Sequence, residues 1–410
     1  MELLKVDTIE SAREKLIHAM QEKKPEKIRV ESNKSLGYVL AEDLLAQEPV
    51  PSFRRSMVDG YAVKSADTTG ASENLPVLLE IVEEVSMGVP SHGSVKNGTC
   101  AYVPTGGMIP AGADAVVMEE YCEMFDKHHL AVYDPVAYGK NVVAVGEDIR
   151  RGELVIKKGT RIRPQEIGVM ASLGILDAMV YEPWTITLLS TGDELVPPFV
   201  QPLPGEVRDI NSYALKAQAE VCGLKVQNVM VYKDDREVIK EAVVQSLNRS
   251  DLVILSGGSS KGKKDATSQI IDEVTDGNTL VRGLALKPGK PSIFGYDRSR
   301  AALAAGLPGH PVAAMLVFEL LIVWLYKHMT HQKGGPSLFA RMTANLAGAP
   351  GRATCQLVRL LKKEQEYYAE PVYGKSGLIT TFTKADGYLM IGQNQEGVKK
   401  DQQVEVFFLS

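Results

Sequence analysis

The stretch DLVILSGGSSKGKKDAT, Asp251 to Thr267, puts bare backbone amides and a carboxylate where a strand gives way to a helix. Leu252, Val253, Ile254 and Leu255 form an unbroken apolar run, the pattern of a strand covered on both faces in a parallel sheet. Ser256, Gly257, Gly258, Ser259 and Ser260 follow at once, and without a Cβ the glycines let N–H groups come close to an anion. Asp265 then leads into a helix through Ile270, Ile271 and Val274. Amides, hydroxyls and a carboxylate in this order suit a phosphate ester with a bound divalent cation. Taken alone, such a loop is also the plain turn of a βα unit. It is not a Walker loop, because no GK[ST] follows.

The elements that must position this loop alternate from Trp184 onward. WTITLLS reads as a strand, Asn211 to Cys222 as a helix, LKVQNVMVY as a strand and Arg236 to Leu247 as a helix. DLVILS, a helix over Ser268 to Val274, the strands PSIFG and AALAAGL, and a helix from Pro311 complete the series. This βαβα order predicts a doubly wound, mostly parallel sheet, whose ligands sit beyond the carboxyl ends of its strands at a topological switch point. Three such ends carry chemistry: STGDEL (Ser190–Leu195), SGGSSKG and GLPGHP (Gly306–Pro311). If their strands are neighbours, Thr191, Asp193, Glu194 and Asp265 meet the Gly/Ser loops at one rim, fit for a phosphate and Mg²⁺.

The remaining chain reads as further domains, since 410 residues exceed one ordinary core. Thr8 to Met20 is an amphipathic helix with Asp7 as its N-cap, and the N-terminus does not read as a signal peptide. Val77 to Tyr133 is strand-rich and forms a small β domain; GEDIRRGELVIKKGTRI reads as hairpin-rich, and Pro164 opens a helix. After the linker KGGPS, the strands QLVRLLKK, YYAEPVY, LITTF, YLMIGQ and QVEVFFL point to a small β-barrel or sandwich. A net charge of −5 and no long basic run exclude a nucleic-acid partner. Cys100, Cys122, Cys222 and Cys355 have neither zinc-ligand spacing nor a disulfide pattern, which implies reduced thiols in a cytoplasmic protein. The apolar segment Pro311 to Tyr326 is short and interrupted by Glu319, so a buried helix is expected and no membrane association.

Eight motifs in collinear order carry a family resemblance: PSFRRSMVDGYA, PTGGMIPAGADAVVMEE, GEDI, STGDEL, RDINSYAL, SGGSSKGKKDAT, LKPGKP and GLPGHPVAA. With them the chain resembles the molybdopterin molybdotransferase family, the MoeA proteins and the C-terminal part of gephyrin. The resemblance implies a multidomain α/β protein. A discontinuous mixed α/β domain spans 1–48 and 141–180, an inserted β domain 49–140, a Rossmann-like domain of the MogA/MoaB kind 181–333 and a C-terminal β-barrel 334–410. It implies a homodimer whose active site lies between the Rossmann-like domain of one subunit and the inserted domain of the other. The reaction implied is insertion of molybdate (or tungstate) into adenylyl-molybdopterin with Mg²⁺, releasing AMP. A molybdopterin adenylyltransferase and proteins of molybdoenzyme maturation are the partners implied.

Carried onto matching positions, the resemblance makes Asp59, Thr105, Asp148, Glu194 and Asp265 catalytic, with Glu194 and Asp265 also holding Mg²⁺. It assigns substrate contacts to Asp209, Asn211, Gly257, Gly258, Ser259, Ser260, Lys261, Lys287, Lys290, Pro308, Gly309, Pro311, Arg352 and Ser376. Lys287 and Lys290 are expected to share an anion site across the Pro-Gly turn between them. Two departures stand out. Family members usually carry a basic cluster before GEDI, where this chain has Val142, Val143, Ala144 and Val145, and the lysines at 261, 263 and 264 offer charge from another side. The GNP turn of many relatives is Gly309-His310-Pro311 here, and His310 reads as a turn residue rather than a general base. The missing cluster motivates an alternative, a non-catalytic molybdopterin carrier or scaffold on the same fold.

Overall fold

The computed structural model describes residues 6–257 and 264–409, with backbone alone for Lys264 and Asp265. The expectations for Gly258, Ser259, Ser260 and Lys261, and for the side chain of Asp265, lie outside the described residues.

Alternation along three strands divides the central core. Ile186, Leu188, Leu252, Ile254, Leu303 and Ala305 point into one buried cluster, and Leu189, Val253, Leu255, Ala302 and Ala304 into another. The two-residue period of a strand thus demands a helical layer on each face. Leu215 and Ala219 of helix Asn211–Val221 supply the first; Ile239 and Val243 of Arg236–Leu247, with Ile270 and Ile271 of Lys264–Val274, supply the second. The strand order is Lys225–Tyr232, Thr185–Thr191, Leu252–Gly257, Ala302–Leu307, Ile293–Asp297, Thr279–Arg282. The first four are parallel, and Ile293–Asp297 runs antiparallel to both its neighbours. The three strands that carry these chemistry-bearing ends, Thr185–Thr191, Leu252–Gly257 and Ala302–Leu307, lie side by side, which meets the condition for one shared rim. The chain leaves Thr185–Thr191 for one side of the sheet and returns at Leu252–Gly257 on the other, so the switch point falls between Thr191 and Gly257.

The amino end of the sheet is anchored separately. Asp251 accepts from Thr185 N–H at 2.7 Å and Thr185 Oγ1 at 2.8 Å, and it pairs with Lys23 beyond the N-terminal helix. That helix, Ile9–Ala19, is capped by Thr8, whose hydroxyl accepts from Ser11 N–H at 3.1 Å. Asp7 is therefore not the cap. Its carboxylate takes Ser11 Oγ and Lys15 Nζ instead, and its backbone bonds Gly283 and Ala285.

The helical run from Pro311 is α over Pro311–Val317, π over Phe318–Val323 and α again over Trp324–Met329. A π segment shifts carbonyls out of the regular ladder. Arg13 takes the carbonyl of Leu320 from both Nε (3.2 Å) and Nη2 (2.8 Å), with its guanidinium 4.4 Å above the Trp324 ring. Pro311–Met329 is apolar and long enough to cross a membrane, but 72% of its most apolar window is buried inside the molecule, as in a core helix.

Residues 60–132 form a six-stranded sheet ordered Ala115–Met118, Gly60–Val63, Thr99–Val103, Val77–Glu84, His129–Val132, Cys122–Met124. The segment after GEDI is not a local hairpin: Leu154–Ile156 pairs with Leu44–Leu45, because its apolar side chains close a core with the early strands. At the C-terminal end Ala353–Lys363, Glu366–Pro371, Ser337–Met342, Gln403–Phe408 and Gly387–Ile391 pair in turn and close on Ala353–Lys363, making a five-stranded barrel. LITTF is not one of its strands. The ring closes without it, and with no partner strand to pack on, Thr380–Thr383 winds into a helical turn despite its β-rich composition. The LKPGKP turn is stitched to the barrel, since Leu286 and Lys287 pair in parallel with Ala353 and Thr354.

Candidate active site

At the switch point Thr191 and Gly257 are register partners. Gly257 has φ +137°, and a Cβ there would lie 2.1 Å from the Thr191 carbonyl, so glycine is required. Beyond it opens a cleft of about 540 Å³ lined by Ser190, Thr191, Glu194, Asp209, Asn211, Asp234, Ser256, Gly257, Gly309, His310 and Pro311, among others. Asp209, only 3% exposed, accepts on Oδ1 from Ser190 Oγ at 3.2 Å and Ser212 N–H at 3.1 Å. Its Oδ2 is buried and has no hydrogen-bond partner among the described residues. An orphaned carboxylate oxygen costs stability, and its place in the lining of a cleft suits it to accept from a ligand N–H or to face a cation. Asn211 donates from Nδ2 to Ser256 Oγ (2.7 Å) and Gly309 C=O (2.9 Å), tying two strand ends together, so its amide N–H groups hold the wall.

The STGDEL turn is fastened to the neighbouring strand. Gly192 N–H donates to Tyr232 C=O at 3.1 Å, and Asp193 and Asp234 exchange backbone-to-carboxylate bonds at 3.3 and 3.1 Å. Glu194 is exposed, with its carboxylate folded back over Gly192. Ala266 and Thr267, next to Asp265 in helix Lys264–Val274, share a crevice of about 60 Å³ with Thr191 and Asp234. Among the described residues no three His, Cys, Asp or Glu side chains form a metal cage. The carboxylates that line this cleft, Glu194, Asp209 and Asp234, carry hard oxygens, which fit Mg²⁺: it takes one or two carboxylates and leaves the rest of its shell to phosphate and water.

A second cleft of about 350 Å³ lies across Gly309 and His310, which line both. Lys287, Lys290, Arg352, Pro308 and Ser376 meet there. The parallel pairing of Lys287 with Thr354 explains how a barrel arginine two residues earlier comes beside a Rossmann-domain turn. Gly289 shapes that turn at φ +127°, where a Cβ would come within 2.7 Å of Val317 Cγ2. Among the described residues no carboxylate is within ion-pair distance of Lys287, Lys290 or Arg352, whereas on the barrel Arg341 pairs with Glu366 (3.2 Å) and Arg359 with Glu370 (2.6 Å). Three cations converging without a carboxylate partner among the described residues are chemistry that suits an anion. Ser376 Oγ is 2.8 Å from His310 Nδ1, and its carbonyl accepts from Val312 N–H at 3.1 Å.

Asp59 and Thr105 are brought together elsewhere. Gly60–Val63 and Thr99–Val103 pair with Gly60 opposite Val103, so Asp59 and Thr105 leave the same end of the sheet. Asp59 Oδ1 accepts from Thr105 N–H at 2.7 Å, and both residues are exposed. Asp148 stands on a separate exposed turn, with its N–H on Val50 C=O at 3.1 Å. None of the three lines either cleft of its own chain. Where the valines precede GEDI, Val143 pairs with Arg55, so an arginine faces that strand from across the ladder. The cysteines are all free. Burial pushes the Cys100 and Cys122 thiols up to about 12, which leaves them unreactive.

Sequence reasoning passed over Ser190, Arg208 and Asp234, and took His310 for a turn residue, yet all four line the main cleft. Asp234 had a legible signal: it follows strand Lys225–Tyr232 and precedes helix Arg236–Leu247, at the same sheet edge as STGDEL. Arg208 is tied to the preceding loop by donating from Nε to Pro198 C=O at 2.8 Å, which nothing in its motif announces.

Three family models match in order: "MoeA N-terminal region (domain I and II)" over residues 7–174, "Probable molybdopterin binding domain" over 187–328 and "MoeA C-terminal region (domain IV)" over 340–409. The chain is 32% identical over 405 residues to a protein of Methanocaldococcus jannaschii named for molybdopterin biosynthesis, covering 97% of this chain and 95% of that one. It is 30% identical over 373 residues to the molybdopterin molybdenumtransferase of Haemophilus influenzae, covering 90% of each. Two solved molybdopterin biosynthesis MoeA proteins of Pyrococcus horikoshii superpose with TM-scores of 0.79 and 0.82, at 32% and 27% identity, over 99% and 98% of this chain and 100% of each of theirs.

Proposed function

The chain belongs to the MoeA family, and from that premise we propose that it is the transferase that inserts molybdate into adenylyl-molybdopterin, releasing AMP. The observation that carries this reading is the pair of adjoining clefts. One offers an unpartnered carboxylate oxygen at the strand ends; the other offers three cations without counter-charge. The first suits the N–H edge of a pterin and its phosphates, the second a tetrahedral dianion such as molybdate or tungstate. Two Mo–S bonds form as the dithiolene thiols lose their protons and a molybdate oxygen leaves as water. The P–O–P bond is cleaved by water to give AMP and the phosphate of the product, with no change in oxidation state.

In this reading Lys287, Lys290 and Arg352 draw the oxyanion in and neutralise it. Asp209 orients the pterin, and the Gly257 backbone lets the phosphates approach the strand end. Mg²⁺ would be held by Glu194, with Asp265 beside it, and would supply charge neutralisation of the pyrophosphate. Asp59, Thr105 and Asp148 reach the reaction from a second copy of the chain; what supports this is that Asp59 and Thr105 are exposed, bonded to each other and absent from both clefts of their own chain. An adenylyltransferase that makes the adenylylated substrate and maturation proteins that accept the product are the partners this chemistry requires.

The test is AMP release from adenylyl-molybdopterin with molybdate and Mg²⁺. Activity should vanish in Asp59→Ala and in Glu194→Ala protein and return when the two are co-assembled as mixed dimers. Wild-type protein that binds molybdopterin and never releases AMP would point instead to a carrier. No recovery in mixed dimers would reject the shared site.

A further inference from the structure

His310 stands on the wall between the two clefts and bonds across a domain junction, Nδ1 to Ser376 Oγ at 2.8 Å. The opposite edge of the ring packs on Gly377, where a Cβ would lie 3.7 Å from Cδ2 and 3.8 Å from Nε2. Ser376 is held a second time through its carbonyl by Val312 N–H. The imidazole and the hydroxyl therefore face each other in a fixed geometry.

A serine hydroxyl has one hydrogen to give and two lone pairs to receive. An oxyanion presents acceptors only. If His310 Nδ1 accepts, Ser376 spends its hydrogen on the ring and turns lone pairs toward the anion. If Nδ1 carries the hydrogen, the ring donates to Oγ and the hydroxyl hydrogen is released toward the cleft. An oxyanion between Lys287, Lys290 and Arg352 favours the second arrangement, because it adds a donor where the first adds repulsion.

We propose that His310 is a positioning residue for the oxyanion: its Nδ1–H commits Ser376 as a hydrogen-bond donor into the cationic cleft and so sets the affinity for a tetrahedral dianion. The inference rests on the oxyanion reading of that cleft. It gives a role to a side chain that, in sequence, looks like part of a turn.

Calorimetric titration of tungstate into the full-length protein tests it, with thermal unfolding of each variant alongside. His310→Leu should weaken binding about tenfold, the worth of one hydrogen bond to a charged group. His310→Asn sets an amide N–H near the place of Nδ1 and should stay within about twofold of wild type. Ser376→Ala should lose the same about tenfold, and adding His310→Leu to it should cost nothing more, since the two act as one unit. Full affinity in folded His310→Leu, a tenfold loss in His310→Asn, or losses that multiply in the double variant would each overturn the proposal. Should His310→Leu fail to fold, the Asn and Ser376→Ala proteins decide. Wild-type protein that binds no tungstate removes the oxyanion reading and this inference together; wild type and His310→Leu binding alike removes the inference alone.

Discussion

At the strand ends Asp209 is buried and clasped by Ser190 and Ser212, while across Gly309 and His310 the side chains of Lys287 and Lys290 are exposed and have no ion-pair partner among the described residues. In the first cleft, at the rim of a parallel sheet, Asp209 bonds Ser190 and Ser212 and Asn211 bonds Ser256, and one carboxylate oxygen of Asp209 has no partner among the described residues. The second is made of long cations on a turn and on the barrel, with charge left over. The difference suits the two ligands proposed for them. A heteroaromatic ring carries N–H groups in fixed directions, and only a preorganised acceptor reads them. A tetrahedral dianion looks alike from every side, so charge matters more than direction, and flexible lysines suffice.

The largest effect expected on this contrast comes from removing charge on one side alone. Lys287→Ala with Lys290→Ala should weaken tungstate or molybdate binding about a hundredfold, two charge-assisted contacts at once, and leave molybdopterin binding within about twofold. Equal losses for both ligands, measured by calorimetry, would merge the two clefts into one. Next, Asp209→Asn can keep the Oδ1 acceptor for Ser190 and Ser212 while placing an N–H₂ where the free Oδ2 stands. Molybdopterin binding should fall about tenfold with tungstate binding untouched. An unchanged pterin affinity would show that the spare oxygen is not a ligand contact.

The smallest effect on the contrast is expected from the far end of the sheet. Burial pushes the Asp251 carboxyl up, but hydrogen bonds from Lys23 and Thr185 outweigh it and hold the group below its usual range. A depressed carboxyl stabilises the fold above its unfolded-state pKa, and that stability is lost as pH falls through the lower, folded-state value. Asp251→Asn should therefore lower stability by about 1–3 kcal/mol near pH 7, a difference that closes in acid. Denaturant melts at both pH values check this, and the ratio of the two ligand affinities should not move. A variant that weakens one cleft selectively would mean the sheet does not hold them as one frame.

The two clefts also differ in how far they could be read in advance. Strand ends announce themselves locally: an apolar run, then Gly-Gly-Ser-Ser or STGDEL, with helix Arg236–Leu247 found to the residue from its period. The rule for doubly wound sheets put all three ends at one edge, while which strands are neighbours came from the structure. The position of Asp234 was legible, but the hydrogen bonds of that rim were not, because Asp234 and Arg208 bond to neighbours on other segments. Meeting of Lys287 with Arg352 depends on a parallel pairing between a turn and the barrel, and His310 meets Ser376 from 66 residues away. Neither leaves a local pattern; the family resemblance supplied Arg352 and Ser376, and His310 was missed. LITTF erred the other way: β propensity described its residues, and the closed ring left it no strand to pair with.

Anomalous scattering from tungstate soaked into crystals of the full-length protein would locate the oxyanion. One strong peak is expected, enclosed by Lys287, Lys290 and Arg352 and within hydrogen-bond reach of Ser376. Tungstate at the strand-end rim beside Asp209 and Glu194, with the cationic cleft empty, would overturn the division of ligands between the two clefts.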